Sequence, residues 1–183
     1  MAIRSTVHKA ELSIADIDRY YYADHALTLA RHPSETEERL MVRLVAFAMH
    51  AHERLLPAGG LSTDDEPDFW RCDDTGSIQQ WIEVGLPDER MLRKASGRSD
   101  EVVLFTYGGR KAEVWRTENA AALAKLRKLT MWFITEADCE ALQTLVERTM
   151  RLGVTIQDGH LLFAGEKNSV EVTPVLWQGD KPA

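Results

Sequence analysis

The pattern of apolar and polar positions changes twice in the N-terminal third of the chain. A loose alternation is interrupted at residues 16–19 and then resumes, which predicts a hairpin of two strands. From Ser34 onward the apolar positions recur every three or four residues, as they do on one side of an amphipathic helix. Ser34 is predicted to cap this helix together with Glu37, and we expect the helix to run to about Leu55.

A second hairpin is predicted in the middle of the chain, where two stretches rich in aromatic and acidic residues flank Thr75 and Gly76. Folding the chain between these two residues places Asp68 opposite Glu83. Directly opposed residues of an antiparallel pair share one face, with Cβ atoms about 5 Å apart. Two carboxylates that close need a cation between them or a shared proton.

The remainder of the chain alternates between helical and strand patterns. A helix is predicted after Pro87, two apolar runs suit buried parallel strands joined by a helical crossover, and a helix followed by short strands completes the chain. These later elements are placed at residues 88–96, 102–105, 110–127, 129–134, 135–153, 154–157, 160–163 and 169–177. The order predicts an α/β fold with a mixed β-sheet flanked by helices, an added N-terminal hairpin and a C-terminal β-meander, in a single domain over residues 1–183.

Charge and composition narrow the classes of function. The net charge of −7 excludes a uniformly basic nucleic-acid-binding protein, so any phosphate-binding surface must be a local patch. The first residues show no signal-peptide pattern, and no apolar run reaches the ~20 residues of a membrane span. Cys72 and Cys139 lack the spacing of metal ligands. We therefore expect a cytoplasmic protein with no membrane partner and no obligate protein partner.

The opposed carboxylates predict a site for a hard divalent cation, Mg²⁺ or Mn²⁺, held by Asp68 and Glu83. Asp65 precedes them in a loop and could join the same metal site. Lys94, about two turns into the helix after Pro87, is the candidate catalytic cation, with Arg90 as the alternative.

Structural explanations of the same residues stay open. A glutamate on a strand, an aspartate beside a turn and a lysine near a helix C-terminus are all common without any function. The basic cluster on this helix could contact phosphates or could simply be a solvated face, and its members are Arg90, Arg93, Lys94 and Arg98.

The arrangement resembles the PD-(D/E)XK nuclease superfamily, in which Pro-Asp opens one strand and an acidic residue, any residue and a lysine end the next. Pro67 and Asp68 match the first part, and Glu83 matches the acidic position of the second, but Gly85 stands where the lysine is expected. Some branches of the superfamily carry the lysine on the following helix, which implies this role for Lys94. Many members also contribute a glutamate from a helix that precedes the core, which implies that role for Glu38.

The whole chain is also similar to the bacterial YaeQ family. The phrases that carry this similarity are 29–36 (LARHPSET), 64–67 (DDEP), 81–90 (WIEVGLPDER), 104–107 (LFTY) and 155–159 (TIQDG). The resemblance implies a variant PD-(D/E)XK fold. Biochemical activity does not follow from it.

Three functions are compatible with these observations. The first is a Mg²⁺-dependent nuclease-like phosphodiesterase acting on DNA or RNA. The second is a catalytically inactive protein that binds nucleic acid or protein and acts as a regulator, in connection with transcription. The third is an enzyme acting on a small phosphorylated molecule, which would suit the acidic net charge.

Overall fold

The computed structural model describes residues 4–58 and 65–183. The elements of the first half are β1 (Thr6–Asp16), β2 (Tyr21–Arg31), α1 (Glu37–Met49), β3 (Leu55–Pro57), β4 (Phe69–Cys72), β5 (Ile78–Val84) and α2 (Glu89–Arg98). Those of the second half are β6 (Ser99–Thr106), α3 (Arg110–Glu118), α4 (Ala120–Leu123), β7 (Leu129–Phe133), α5 (Glu136–Gln143), β8 (Thr149–Gln157), β9 (His160–Ala164), β10 (Ser169–Val172) and β11 (Val175–Gln178).

These elements form a mixed α/β fold with two mixed sheets flanked by helices, where one mixed sheet was predicted. The strands follow the order β10-β9-β8-β1-β2 in one sheet and β11-β7-β6-β5-β4-β3 in the other. The chain divides into two compact units, each of which contains one sheet. In the described part of the chain, no helix combines the length and the apolar character that a membrane span requires.

The first unit runs from the N-terminal strands to Ala51 and resumes over Ala137–Pro174. It contains the predicted N-terminal hairpin, in which β1 and β2 pair antiparallel over eleven residues. It also contains the predicted meander, since β8, β9 and β10 pair antiparallel in sequence order. Asp158 and Gly159 adopt positive φ angles in the tight turn between β8 and β9, as the Asp-Gly sequence predicts.

Helix α1 begins two residues later than predicted. Thr36 caps it by accepting a hydrogen bond from the Arg39 N–H at 3.1 Å, whereas the Ser34 hydroxyl contacts His32 Nδ1. The helix ends at Met49, and Leu55, where the predicted helix ended, is the first residue of strand β3. Every residue from Leu40 to Met49 is buried, so this helix is enclosed around its whole circumference.

The predicted helix over residues 135–153 is also too long, because α5 ends at Gln143 and residues 149–153 belong to strand β8. Met150, Leu152, Val154 and Ile156 are all buried, and they alternate with polar or small residues at a period of two. The helical interpretation treated Met150 as the end of an inner stripe, but its burial belongs to the alternating pattern. β8 pairs parallel with β1, and Lys9 lies opposite Thr149.

The second unit comprises His52–Glu136 and Val175–Lys181. Strands β5, β6 and β7 are parallel, which confirms the predicted crossover, while β4 and β11 run antiparallel to their neighbours. One face of this sheet carries a core cluster that joins strand residues to helix α2: Trp81, Leu92, Ala95, Val102, Leu104, Leu123, Leu129 and Met131.

Three predicted boundaries in this unit are corrected. Helix α2 begins at Glu89 instead of Pro87, and Asp88 caps it with a carboxylate that accepts from the Met91 N–H at 2.8 Å. The predicted helix over residues 110–127 is divided into α3 and α4 at Asn119. The predicted last strand is two strands on either side of Pro174, and each belongs to a different sheet.

Candidate functional site

The central hairpin folds in the predicted register. Phe69 pairs with Ile82, Trp70 with Trp81 and Arg71 with Gln80, which confirms the register inferred from the fold at Thr75 and Gly76. A bulge beyond Arg71 then shifts the ladder and sets Cys72 opposite Ile78 instead of Gln79. The register therefore holds at the open end of the hairpin, where the acidic residues lie, and changes only beside the turn.

The turn of this hairpin is organised by the carboxylate of Asp73. Its Oδ1 accepts hydrogen bonds from the main-chain N–H of Thr75 at 2.8 Å, the Thr75 hydroxyl at 2.7 Å and the main-chain N–H of Ser77 at 3.0 Å. Gly76 completes the turn with a φ of 85°. The Thr75 hydroxyl, followed by the Ser77 N–H, lowers the pKa of the Asp73 carboxyl below its usual 3.8.

We expect Asp73→Asn to lower the melting temperature at neutral pH, because an amide oxygen accepts weaker hydrogen bonds than a carboxylate. Since the pKa of Asp73 is depressed in the folded state, its contribution is complete above the unfolded value and is lost as pH falls through the lower folded value. The difference in melting temperature between the two proteins should therefore shrink between about pH 5 and pH 2. Thermal unfolding followed by circular dichroism checks this, and a difference that stays constant to pH 2 would contradict it.

Asp68 lies where β4 begins, and it contacts β5 on both sides of Glu83. Its main-chain N–H donates to the Ile82 carbonyl at 3.0 Å, and its carboxylate Oδ2 accepts from the Val84 N–H at 2.8 Å. The carboxylate thus replaces the main-chain acceptor that a regular ladder would offer to Val84. These two bonds fix Asp68 beside Glu83 as a consequence of the strand pairing.

Glu83 is a buried carboxylate near the C-terminal end of β5, with 7% of its surface exposed. Its Oε2 accepts a hydrogen bond from the indole Nε1–H of Trp81 at 3.2 Å. Residues two apart on a strand share a face, so Glu83 lies on the same face as Trp81, which packs in the core cluster beside α2. Burial of a carboxylate is unfavourable unless hydrogen bonds or cations compensate it, and such carboxylates are frequent at functional sites.

Helix α2 brings two cations to the loop that precedes β4. Lys94 forms an ion pair with the Asp65 carboxylate, and Arg98 Nη1 donates to the Asp65 carbonyl oxygen at 2.9 Å. The Arg98 guanidinium also lies over the Trp81 ring, 5.4 Å from its centroid. Of the two cations weighed from the sequence, Lys94 is the one whose contact with the acidic segment is observed, while Arg90 is exposed in the first turn of α2.

Gly85, at the position of the lysine in the superfamily pattern, has a φ of 125°. Side chains other than glycine rarely adopt this conformation, so a lysine here would strain the main chain. A Cβ atom at Gly85 would meet nothing within 4 Å, so the restriction comes from the backbone conformation alone.

The other predicted positions are as follows. Glu38 lies in the first turn of α1, in the first compact unit, and its catalytic role stays a prediction. Asp64, part of the acidic phrase, lies outside the described residues. The sequence analysis did not assign Trp81 or Arg98 to the site. Their spacing was a usable signal, because Trp81 is two residues before Glu83 on a strand and Arg98 is four after Lys94 on a helix.

Across residues 4–58 and 65–183, no group of three or more His, Cys, Asp and Glu side chains is arranged to hold a metal ion. The carboxylates of the site divide accordingly into two sets. Asp68 stands directly before β4 and bonds to β5 on both sides of Glu83, whereas Asp65 is paired with Lys94.

Comparisons with known proteins agree on one family. The model of the family described as "YaeQ protein" matches residues 1–174. The uncharacterized protein YaeQ of Escherichia coli (strain K12) is 43% identical over 178 residues, covering 97% of this chain and 98% of the relative. The corresponding protein of Salmonella typhi is 42% identical with the same coverage.

Two crystal structures superpose closely on this chain. The YaeQ protein from Xanthomonas axonopodis pv. citri is 49% identical, with a TM-score of 0.91 and coverage of 96% of this chain and 99% of that one. The YaeQ protein from Pseudomonas syringae is 34% identical, also with a TM-score of 0.91, and the coverages are 97% and 98%. The resemblance inferred from the sequence phrases is confirmed, and this chain belongs to the YaeQ family.

Proposed function

We propose that this protein is a divalent-metal-dependent phosphodiesterase that acts on nucleic acid through a variant PD-(D/E)XK core. The observation that carries the proposal is the fixed pair of carboxylates, since Asp68 is hydrogen-bonded on both sides of Glu83 and Glu83 is buried. We further propose that the two compact units work as one YaeQ domain, because the family match covers residues of both.

The order of elements supports the nuclease-like core. Pro67 and Asp68 stand directly before β4, and Glu83 lies near the end of the antiparallel neighbour β5. Helix α2 follows at once with Lys94, and β6 then pairs parallel with β5. This order supports the proposed core, with Lys94 on the helix taking the place of the lysine that the superfamily pattern has at position 85.

The residues present fit a hard divalent cation. Mg²⁺ is usually bound through one or two carboxylates and keeps several of its waters, so two carboxylates suffice where three are not grouped. The Trp81 N–H on Glu83 and the Val84 N–H on Asp68 hold these carboxylates in place, as supporting hydrogen bonds do around metal ligands. Asp65, the third predicted ligand, would have to leave Lys94 to join them.

Each residue has a defined part in the proposed reaction. Asp68 and Glu83 would hold the cation, which when bound would activate water and neutralise charge on the phosphate. Lys94 would donate hydrogen bonds to the phosphate oxygens as negative charge develops on them. Glu38 of α1 is retained as a proposed further residue that would help to hold the cation.

The test is a titration of the purified protein with Mn²⁺ and Mg²⁺ by calorimetry, combined with hydrolysis of labelled single- and double-stranded DNA and RNA. We expect one or two ions to bind with micromolar to millimolar affinity, and hydrolysis that stops on addition of EDTA. If no Mn²⁺ bound at a concentration of about 10 mM in neutral buffer, the proposal would be refuted, because metal sites of this type saturate below that concentration.

A second candidate function is favoured by the conformation of Gly85. Because its φ of 125° disfavours a lysine, the alternative is a protein that kept the scaffold, lost the chemistry and binds nucleic acid or protein as a regulator. Salt-sensitive binding of nucleic acid without hydrolysis in the same assay would support this alternative.

A further inference from the structure

Asp65 contacts both of the cations that α2 brings to the loop before β4. Lys94 pairs with its carboxylate and Arg98 binds its carbonyl oxygen at 2.9 Å. We infer that Lys94 and Arg98 form an anchoring subsite for a phosphodiester of nucleic acid, which Asp65 fills in the free protein and which the phosphate takes over by displacing Asp65. This inference rests on the proposed function, because it assigns the substrate contact next to the proposed centre.

The subsite is prearranged by the core of the second unit. Trp81 is 1% exposed and packs with Leu92 and Ala95 of α2, so its ring is fixed. Arg98 lies over that ring at 5.4 Å, and a guanidinium stacked on a fixed aromatic surface loses little freedom when it binds an anion. Lys94 is one helical turn before Arg98, so both side chains project from the same side of α2.

Asp65 presents oxygen atoms to these cations much as a phosphate would. It offers a charged oxygen to Lys94 and a neutral carbonyl oxygen to Arg98. A phosphodiester offers two non-bridging oxygens that share a full negative charge, and arginine pairs with phosphate more favourably than with a neutral carbonyl. A phosphate therefore improves the contact with Arg98 while it preserves the charge contact with Lys94.

The present occupant is easily displaced. The side chain of Asp65 is 70% exposed and that of Lys94 is 42% exposed. Exposed ion pairs contribute little net stability, because water and salt screen them and two flexible side chains must be ordered. Arg98 is exposed as well, but it keeps its contact with the buried Trp81 ring when Asp65 leaves, whereas the Asp65 carboxylate is held only by a weak surface contact.

The indole of Trp81 contacts a residue of the proposed subsite and also a residue of the proposed metal centre. Arg98 lies against the face of the Trp81 ring, and Glu83 accepts the hydrogen bond from its N–H edge. A phosphate on Lys94 and Arg98 would thus be held beside the carboxylate pair, where the proposed reaction requires Lys94 to contact the reacting phosphate. The subsite would position the nucleic acid without reading its sequence.

The test is the affinity for a fluorescein-labelled single-stranded 12-mer, measured by fluorescence anisotropy at low salt in EDTA. Asp65→Asn is expected to bind about threefold to fivefold more tightly than wild type, the scale of one exposed ion pair. Asp74→Asn is the matched control, because it removes the same charge from another exposed ion pair, with Arg54, in the same unit. Its affinity should stay within about twofold of wild type.

Removal of the cations should have the opposite effect. Arg98→Gln and Lys94→Gln are each expected to weaken binding about fivefold or more, since each removes a phosphate contact. Arg93→Gln is the matched control on the same helix, because Arg93 pairs with Glu89 instead of Asp65. Thermal unfolding of each variant shows whether it folds like wild type.

Equal affinities of Asp65→Asn and Asp74→Asn would overturn the inference, and so would equal affinities of Arg98→Gln and Arg93→Gln. If Asp65→Asn bound pyrophosphate more tightly than wild type but bound the 12-mer with unchanged affinity, the assignment to nucleic acid would be overturned. Because EDTA removes divalent ions, these results do not depend on catalysis. Failure to bind Mn²⁺ would therefore refute the proposed function and leave this binding result intact.

Discussion

Glu83→Gln and Asp68→Asn should each weaken Mn²⁺ binding about 100-fold or more and abolish hydrolysis, because each removes one of the two principal anionic ligands that we propose. Loss of a hydrogen bond that only supports a metal ligand already lowers metal affinity about 10- to 100-fold. Both substitutions keep an oxygen that can accept the existing hydrogen bond, from Trp81 in the first case and from Val84 in the second. The folded structure should consequently survive, and the loss can be assigned to charge.

Glu101→Gln is the control for this experiment. Glu101 lies on β6 and its carboxylate accepts a hydrogen bond from Gln80 at 2.9 Å, so the same chemical change is made on the neighbouring strand. Calorimetry should show Mn²⁺ binding unchanged in Glu101→Gln. If Glu83→Gln and Asp68→Asn bound Mn²⁺ as tightly as this control, the carboxylate pair would not be the metal site.

The second large effect concerns Gly85, where restoring the lysine of the superfamily pattern should fail. Gly85→Lys and Gly85→Ala are each expected to lower the free energy of unfolding by about 1–3 kcal/mol, the cost of forcing a side chain into a conformation that favours glycine. Hydrolysis should not increase in Gly85→Lys. Chemical denaturation gives the stability, and the nuclease assay gives the activity.

Gly97→Ala is the control, because its expected change in stability has the opposite sign. Gly97 lies inside α2, and a Cβ atom there would also meet nothing within 4 Å. Gly97→Ala should stabilise the protein by about 0.5–1 kcal/mol, because alanine loses less conformational entropy in a helix. A stable, more active Gly85→Lys would show that the main chain at position 85 can adapt, and the role given to Lys94 would then be unnecessary.

Much of the fold that surrounds the site follows from local sequence. The register of the central hairpin could be read from its turn, because Asp73 and Gly76 fix where the chain reverses. The parallel crossover followed from two apolar runs on either side of a helical segment. In both cases the determining residues are close together in the chain.

The predictions from sequence were wrong where a segment fits both a helical and a strand periodicity, or where its strand partner is far away in the chain. Met150 fits both a helical stripe and an alternating strand, and only the parallel pairing of β8 with β1, far away in the chain, decides for the strand. The bulge after Arg71 could not be seen either, since it depends on how the turn joins the ladder. The division into two sheets follows from such distant pairings.

The candidate site shows the same limit. Asp68 and Glu83 could be placed together because one hairpin contains both. The contact of Arg98 with Trp81 requires the packing of α2 on the sheet, which sequence spacing alone does not give. The conformation of Gly85, which disfavours any side chain at this position, is likewise visible only in the structure.

The most direct measurement is a crystal structure of the protein soaked in Mn²⁺, with anomalous difference maps to locate the metal. The account predicts an anomalous peak within about 2.0–2.4 Å of carboxylate oxygens of both Asp68 and Glu83, with waters completing the coordination. The contradictory result is a fully soaked crystal in which these two carboxylates bind no metal while manganese occupies other positions.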